Sequence, residues 1–152
     1  MARRAAIRMS AEEVLAFLEE SRTINIATVG PDGSLHVVAM WYVVDRGQVV
    51  FWTDAKSQKV RNLQRDPRLT GLVEAGETYG ELRGVELVGR VELVDDPDEV
   101  RRIGEAVSVR YVGPLTDESR AVVERRSRNR VAVRLHAERT VSWDHRKIAS
   151  GS

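Results

Sequence analysis

Hydrophobic and polar residues alternate along several short segments of the chain, and a period of two is typical of β-strands. The first such segment is Ile24–Val29, and a turn sequence, GPDG at 30–33, follows it. A second segment at 35–44 and a third at 48–53 are separated by only a short turn. Strands joined by such short turns pair in antiparallel fashion. The pattern therefore predicts an antiparallel meander in the first third of the chain.

Three further strands are predicted later in the chain, at 69–74, 79–94 and 131–136. The longest of them has one polar and one apolar face, and Gly84 and Gly89 within it permit a bend or a bulge. Val141 and Trp143 leave room for a short seventh strand at an edge. Six strands interrupted by helices predict a mainly β, α+β chain folded as a small antiparallel barrel.

Helices are predicted where apolar residues recur every three or four positions behind a capping residue. Ser10 and Glu13 form the sequence of a capping box, so the first helix begins after Ser10 and ends near Ser21. Further helices are expected over 57–66, after Asp96-Pro97 and after Thr116. We expect all of them to flank the barrel.

The predicted second strand is apolar on both of its faces, with His36 as the polar exception. One face of such a strand fills the barrel, and a second apolar face needs another cover. A second copy of the chain is the simplest cover, because most soluble oligomers are symmetric assemblies of one chain. The sequence therefore predicts a homodimer.

The chain has 152 residues, a net charge of +1 and no cysteine. This length predicts one domain over 1–152, with flexible ends at 1–9 and 148–152. The small net charge argues against nucleic acid as a partner, and no apolar run approaches the ~20 residues that insert into a membrane. The lack of cysteine excludes disulfides and thiolate metal sites. Because the N-terminus lacks the apolar core of a secretory signal, a cytoplasmic protein is expected.

Familiar catalytic motifs are absent from the sequence, including nucleophile elbows, zinc-protease helices and glycine-rich nucleotide loops. The spacing of His36, His136 and His145 fits no common metal motif, so no metal site is expected. Segment 125–130 holds four arginines, but acidic residues on both sides favour a solvated helix end over a phosphate site.

Segment 53–68 is the strongest candidate for chemistry. It leaves an apolar strand at Thr53 and starts a helix at Ser57, with Lys59 in the first turn. A helix start offers free N–H groups and the positive end of the dipole, so these residues can hold a phosphate. An exposed, capped helix with ordinary surface cations explains the spacing equally well. The apolar strand favours the phosphate site, because a flat ring could lie on the strand while its phosphate reaches the helix.

The stretches INIATVGPDGSLHVVAMWYVV and VVFWTDAKSQKVRNLQRDPR resemble the pyridoxamine 5′-phosphate oxidase-like split-barrel superfamily. Within it they are more closely similar to the F420-dependent flavin/deazaflavin oxidoreductase B group. The resemblance covers residues 10–94, and the C-terminal third matches only in pattern. It implies a homodimer of split barrels that binds coenzyme F420 in two sites at the interface. It also implies an oxidoreductase that passes hydride to a conjugated small-molecule acceptor of the quinone, enone or tetrapyrrole type.

The same resemblance implies which residues bind the cofactor. The phosphate falls to Ser57, Gln58 and Lys59, and the ring to Val38, Ala39, Met40 and Trp41, with Thr53 and Tyr79 near it. Lys56, Arg61 or Arg65 could guide the acidic tail of the cofactor. The resemblance points to no acid–base side chain, so the catalytic residues stay unknown.

Two alternatives stay open at this point. FMN-using relatives commonly grip the phosphate with arginines of the second strand, and 35–44 has no cation, which favours F420 over FMN. An FMN-dependent oxidase is nevertheless one alternative. A non-catalytic F420-binding or storage protein on the same scaffold is the other.

Overall fold

A computed structural model of the chain describes residues 2–149. Its strands are β1 (Ile24–Val29), β2 (Leu35–Met40), β3 (Val43–Asp45), β4 (Gln48–Asp54), β5 (Arg68–Ala75), β6 (Arg83–Val94) and β7 (Arg130–Asp144). Its α-helices are α1 (Ala2–Ile7), α2 (Ala11–Glu20), α3 (Gln58–Arg65), α4 (Pro97–Tyr111), α5 (Asp117–Ser127) and α6 (Arg146–Ala149). A 3-10 turn, Tyr79–Glu81, precedes β6.

The seven strands form a single antiparallel sheet in the order β2-β1-β5-β6-β7-β4-β3. β2 and β3 therefore lie at opposite edges, although only Trp41 and Tyr42 separate them in the chain. Three Cα steps span at most about 11 Å, so the two edges must come close together. The sheet is thus curled into a split barrel, which confirms the predicted fold class with seven strands in place of six.

The prediction of one continuous strand at 35–44 is wrong, because the chain changes edge at Trp41 and Tyr42. The side chain of Tyr42 is fully buried, and its hydroxyl donates a hydrogen bond to the carbonyl of Leu18 at 2.6 Å. Its backbone N–H donates to the hydroxyl of Tyr111 at 3.0 Å. These tertiary bonds replace the strand pairing that the alternating pattern predicted.

Two other strand boundaries differ from the prediction. Tyr79 lies in a 3-10 turn, and the strand predicted to start there begins at Arg83. The last strand is not a short segment with a separate edge, because β7 runs unbroken and pairs with β6 along its length, with a register shift at Val88/Gly89. Residues 136–141 are exposed, so they carry no buried-and-exposed alternation for the sequence to reveal.

Three of the helix starts are capped as predicted. The Ser10 hydroxyl accepts a hydrogen bond from the backbone of Glu13 at 3.1 Å in a complete capping box. Asp96 accepts from the backbone of Glu99 before α4, and Thr116 does the same for α5. Such caps stabilise a helix by about 1 kcal/mol each.

The apolar side chains form two cores on opposite faces of β4. Val49 and Phe51 belong to the core inside the barrel, whereas Val50 and Trp52 belong to an outer core covered by α4 and α5. Because successive strand residues face opposite sides, Thr53 points to the same side as Phe51. At the end of β4, the side chains of Trp52 and Thr53 therefore lie on opposite faces of the strand.

The ends of the chain are partly described. Ala2–Ile7 and Arg146–Ala149 are short helices, while residues 1 and 150–152 lie outside the described residues. The flexibility predicted for 1–9 and 148–152 stays a prediction. None of the helices within residues 2–149 combines the length and the apolar character needed to cross a bilayer.

Candidate functional site

Helix α3 begins at the end of β4, and its first turn carries an unpaired hydroxyl. Ser57 occupies the N-cap position, but its side chain makes no capping hydrogen bond. The Ser57 hydroxyl oxygen is buried and has no hydrogen-bond partner in the structure. A buried polar group without a partner costs about 1–3 kcal/mol, so this hydroxyl suits a bound polar ligand.

Lys59 is the second residue of the same helix. Its ammonium donates a hydrogen bond to the Thr53 hydroxyl at 2.9 Å. Burial lowers the pKa of Lys59, and the nearby charge of Arg130 lowers it further, while Asp54 acts in the opposite sense. We call the group of Thr53, Ser57 and Lys59 the α3 corner; it combines a partly buried cation with a free buried hydroxyl.

A second set of hydrogen bonds fixes α3 on the end of the barrel. Asn62 is fully buried, and its amide donates to the Thr28 hydroxyl at 3.0 Å. Gln58 donates to the Asn62 carbonyl oxygen at 2.8 Å, and Arg65 donates to the backbone carbonyl of Val29 at 2.6 Å. Gln58 and Arg65 thus support the helix, and the three cations named as guides for an acidic tail, Lys56, Arg61 and Arg65, are all exposed.

A cavity of about 740 Å³ opens between the end of β2, β4 and helices α4 and α5. Of the residues predicted to contact a ring, Ala39, Met40 and Trp41 line it, and Trp52 lines it as well. We call it the Trp41–Trp52 cavity. Thr53 follows Trp52 on β4 with its side chain on the opposite face of the strand; the link between the cavity and the α3 corner is Arg130, which lines the cavity and whose charge lowers the pKa of Lys59.

Gly104 of α4 lets the cavity take this form. A Cβ atom at this position would lie 2.5 Å from the ring of Trp52, much closer than two carbon atoms can approach. Glycine in the interior of a helix costs about 1 kcal/mol relative to alanine. The close approach of Trp52 explains why the position nevertheless holds glycine.

The remaining predicted residues lie elsewhere. Val38 packs against the core inside the barrel. Helix α3 comes before the N-terminal end of β5, and Tyr79 comes after its C-terminal end. Within one chain the length of β5 therefore separates Tyr79 from the α3 corner. Its ring lies against His145, with 4.6 Å between the ring centroids, and the side chain is 58% exposed.

Two arginines of the cavity were not among the residues predicted from the sequence to form the site. Arg126 and Arg130 line the cavity, although segment 125–130 was interpreted as a solvated helix end. Arg125, Arg126 and Arg128 are exposed, as that interpretation requires, although Arg126 also lines the cavity; the interpretation is wrong for Arg130, which is partly buried. The guanidinium of Arg130 lies 4.6 Å from the ring centroid of Trp52. The helical spacing of the cavity-lining residues of α5 was the signal that could have revealed Arg126.

The chain is thus an antiparallel split barrel in which a corner with a partly buried ammonium and an unpartnered hydroxyl lies near an aromatic cavity. The family model described as pyridoxamine 5′-phosphate oxidase matches residues 10–144. The chain therefore belongs to the pyridoxamine 5′-phosphate oxidase family, which confirms the superfamily resemblance.

Several named relatives are similar to the chain. The F420H(2)-dependent biliverdin reductase of Mycobacterium tuberculosis is 32% identical over 117 residues, which cover 74% of this chain and 80% of that protein. The crystal structure of conserved hypothetical protein Rv2991 from Mycobacterium tuberculosis has 49% identity and a TM-score of 0.93, covering 97% of this chain and 92% of that one. A structure titled F420 Reductase has 30% identity and a TM-score of 0.63, covering 82% and 93%.

Proposed function

We propose that this chain is a reductase that uses reduced coenzyme F420 to transfer hydride to a conjugated organic acceptor. The observation that carries the proposal is the buried Ser57 hydroxyl, which has no hydrogen-bond partner and lies two residues before Lys59 at the start of α3. A relative named F420H(2)-dependent biliverdin reductase and a structure titled F420 Reductase support the choice of cofactor.

The α3 corner suits the phosphate of such a cofactor. A phosphate accepts hydrogen bonds only through its oxygens, and the corner offers a hydroxyl, an ammonium and the N–H groups at the start of α3. A bound anion would also favour the protonated form of Lys59, whose pKa burial lowers in the free protein. The ligand and the corner therefore stabilise each other.

The Trp41–Trp52 cavity suits the rings of the cofactor and the acceptor. Its volume of about 740 Å³ falls within the range of about 300–1,000 Å³ that is usual for small-molecule sites. Aromatic and aliphatic side chains line most of it. A ring placed on the residues at the end of β2 would reach a phosphate at the α3 corner past Arg130, which lines the cavity and acts on the pKa of Lys59.

The protein's part in the reaction is to position the reactants and exclude water. When bound, the reduced deazaflavin supplies a hydride to the acceptor, so that the cofactor loses two electrons, the acceptor gains them, and a proton from water completes the reduction. Lys59 and Ser57 hold the phosphate end in place. The residues that line the cavity hold the acceptor against the ring, and no side chain is assigned as a base.

The homodimer predicted from the sequence belongs to the same proposal. Leu35 and Val37 on the outer face of β2 are 67% and 63% exposed, and Trp41 continues this face at 55%. A second copy of the chain would cover it. A partner is also the only means of bringing a Tyr79 to the α3 corner, since the two lie at opposite ends of one barrel. Sedimentation at micromolar concentration tests this part, and a clear monomer contradicts it.

Titration of the purified protein with F420 and with FMN tests the cofactor. We expect F420 to bind more tightly, followed by faster reoxidation of the reduced cofactor when a quinone, an enone or a tetrapyrrole is added. Tight binding without acceptor-dependent oxidation would select a storage protein. FMN is the second candidate because the matching family model describes an oxidase of pyridoxamine 5′-phosphate, and tighter binding of FMN would select it.

A further inference from the structure

The Trp41–Trp52 cavity has its positive charge at one end. Helix α5 lines it with residues three, four and seven positions apart, which places them on one side of the helix: Ser119, Val122, Val123 and Arg126. Arg130 at the start of β7 joins Arg126 at the same end. The acidic residue of the cavity, Glu118, lies eight residues before Arg126, about 12 Å away along the helix axis. The cavity therefore has an apolar middle and a cationic end.

The two arginines have no acidic partner of their own in the part of the chain described. Neither guanidinium lies within 4.0 Å of a carboxylate of residues 2–149. Burial lowers the pKa of Arg130, and the charge of Arg126 lowers it further, against the opposite effect of Asp54. Two neighbouring cations that lack a paired acid favour an anionic ligand.

Three anions of the proposed reaction are candidates for this end of the cavity: the phosphate of the cofactor, because the charge of Arg130 reaches Lys59, the acidic tail of the cofactor, and a carboxylate of the acceptor. The walls beside the arginines decide between them, because Val107, Val122 and Val123 are apolar. Neither a phosphate nor a tail of glutamates gains much from such walls. A flat acceptor that carries an acid group matches both the walls and the cations.

We propose that Arg126 and Arg130 bind a carboxylate of the hydride acceptor, which makes the chain selective for flat conjugated acceptors that carry an acid group. The inference rests on the proposed function for the identity of the acceptor. The binding itself needs no cofactor, so it can be measured on the protein alone.

Tryptophan fluorescence of the cofactor-free protein provides the measurement, since Trp41 and Trp52 line the cavity. The probes are biliverdin, a flat tetrapyrrole with two propionates, and its dimethyl ester. We expect R126Q to raise the Kd of biliverdin about tenfold, as for the loss of one charge-assisted contact, and to leave the Kd of the ester unchanged. R125Q is the matched control, because Arg125 is the neighbouring exposed arginine and does not line the cavity; it should change neither value.

Three results would overturn the inference. The first is equal binding of acid and ester by the unchanged protein, and the second is an equal effect of R126Q and R125Q. The third is an R126Q protein that binds F420 more weakly but biliverdin as before, which would assign the arginines to the phosphate or the tail of the cofactor. If R126Q selectively weakens biliverdin binding while F420 does not bind at all, the inference stands and the proposed function fails. In turnover, R126Q should raise KM for the acid and leave kcat unchanged.

Discussion

Replacing Ser57 by alanine should stabilise the ligand-free protein against unfolding and weaken its binding of F420. The Ser57 hydroxyl is buried without a partner and does not cap α3, so its removal gives up no hydrogen bond. An unsatisfied buried group costs about 1–3 kcal/mol, and we expect S57A to raise the free energy of unfolding by about 1 kcal/mol. This corresponds to about 2–4 °C in Tm for a chain of this length. In the complex, the same change removes a hydrogen bond to phosphate, which should raise the Kd of F420 roughly tenfold.

Urea denaturation without ligand and a fluorescence titration with F420 measure the two effects. Ser10→Ala is the matched control, because the Ser10 hydroxyl does cap its helix, at 3.1 Å from the Glu13 nitrogen. It should lower the free energy of unfolding by about 1 kcal/mol and leave the Kd unchanged. If S57A destabilises the free protein as S10A does, or binds F420 as before, Ser57 is an ordinary helix cap and the assignment of the α3 corner is wrong.

Three further predictions follow from the same structure. K59A should raise the Kd of F420 by at least tenfold, as for a lost charge-assisted bond, and K56A, at an exposed lysine, should leave the Kd unchanged. Because the pKa of Lys59 is lowered, the affinity for F420 should also fall as the pH rises through that pKa, and K59A should abolish this pH dependence. Asp45 has a lowered pKa because Arg102 and Arg134 bind it, so its ionised form stabilises the folded protein above pH ~4, and this stabilisation is lost as the pH falls. D45N should lower the free energy of unfolding by about 3 kcal/mol and flatten the acid side of a plot of stability against pH. G104A should cost about 1–3 kcal/mol and shift the emission of Trp52, because the added methyl displaces its ring; an unchanged spectrum would contradict this.

The local patterns predicted the elements that depend on neighbouring residues. β1 lies where the alternation placed it, and the capping box at Ser10 starts α2 as expected. The prediction was wrong where a distant contact decides the backbone. Tyr42 leaves the strand because Leu18 and Tyr111 bind it, and neither residue is close to it in the chain.

The residues of the candidate site also divide into those that a local motif identifies and those that only a distant contact reveals. Ser57 and Lys59 stand two residues apart at a predicted helix start, so a local motif could identify them. Arg126 and Arg130 lie about 70 residues further along the chain. Their charge is typical of solvated residues, and a sequence does not reveal that an exposed arginine of α5 and a partly buried arginine at the start of β7 line one cavity.

The sequence by itself determined the period of each segment, the starts of the helices and the residue types at the α3 corner, since these follow from contacts between near neighbours. Only the tertiary structure decided that β2 and β3 lie at opposite edges, that Gly104 accommodates Trp52, and that two arginines meet at one end of the cavity. The physical reason is that the curl of the sheet and the packing of α4 and α5 on β4 set the distances between residues far apart in the chain.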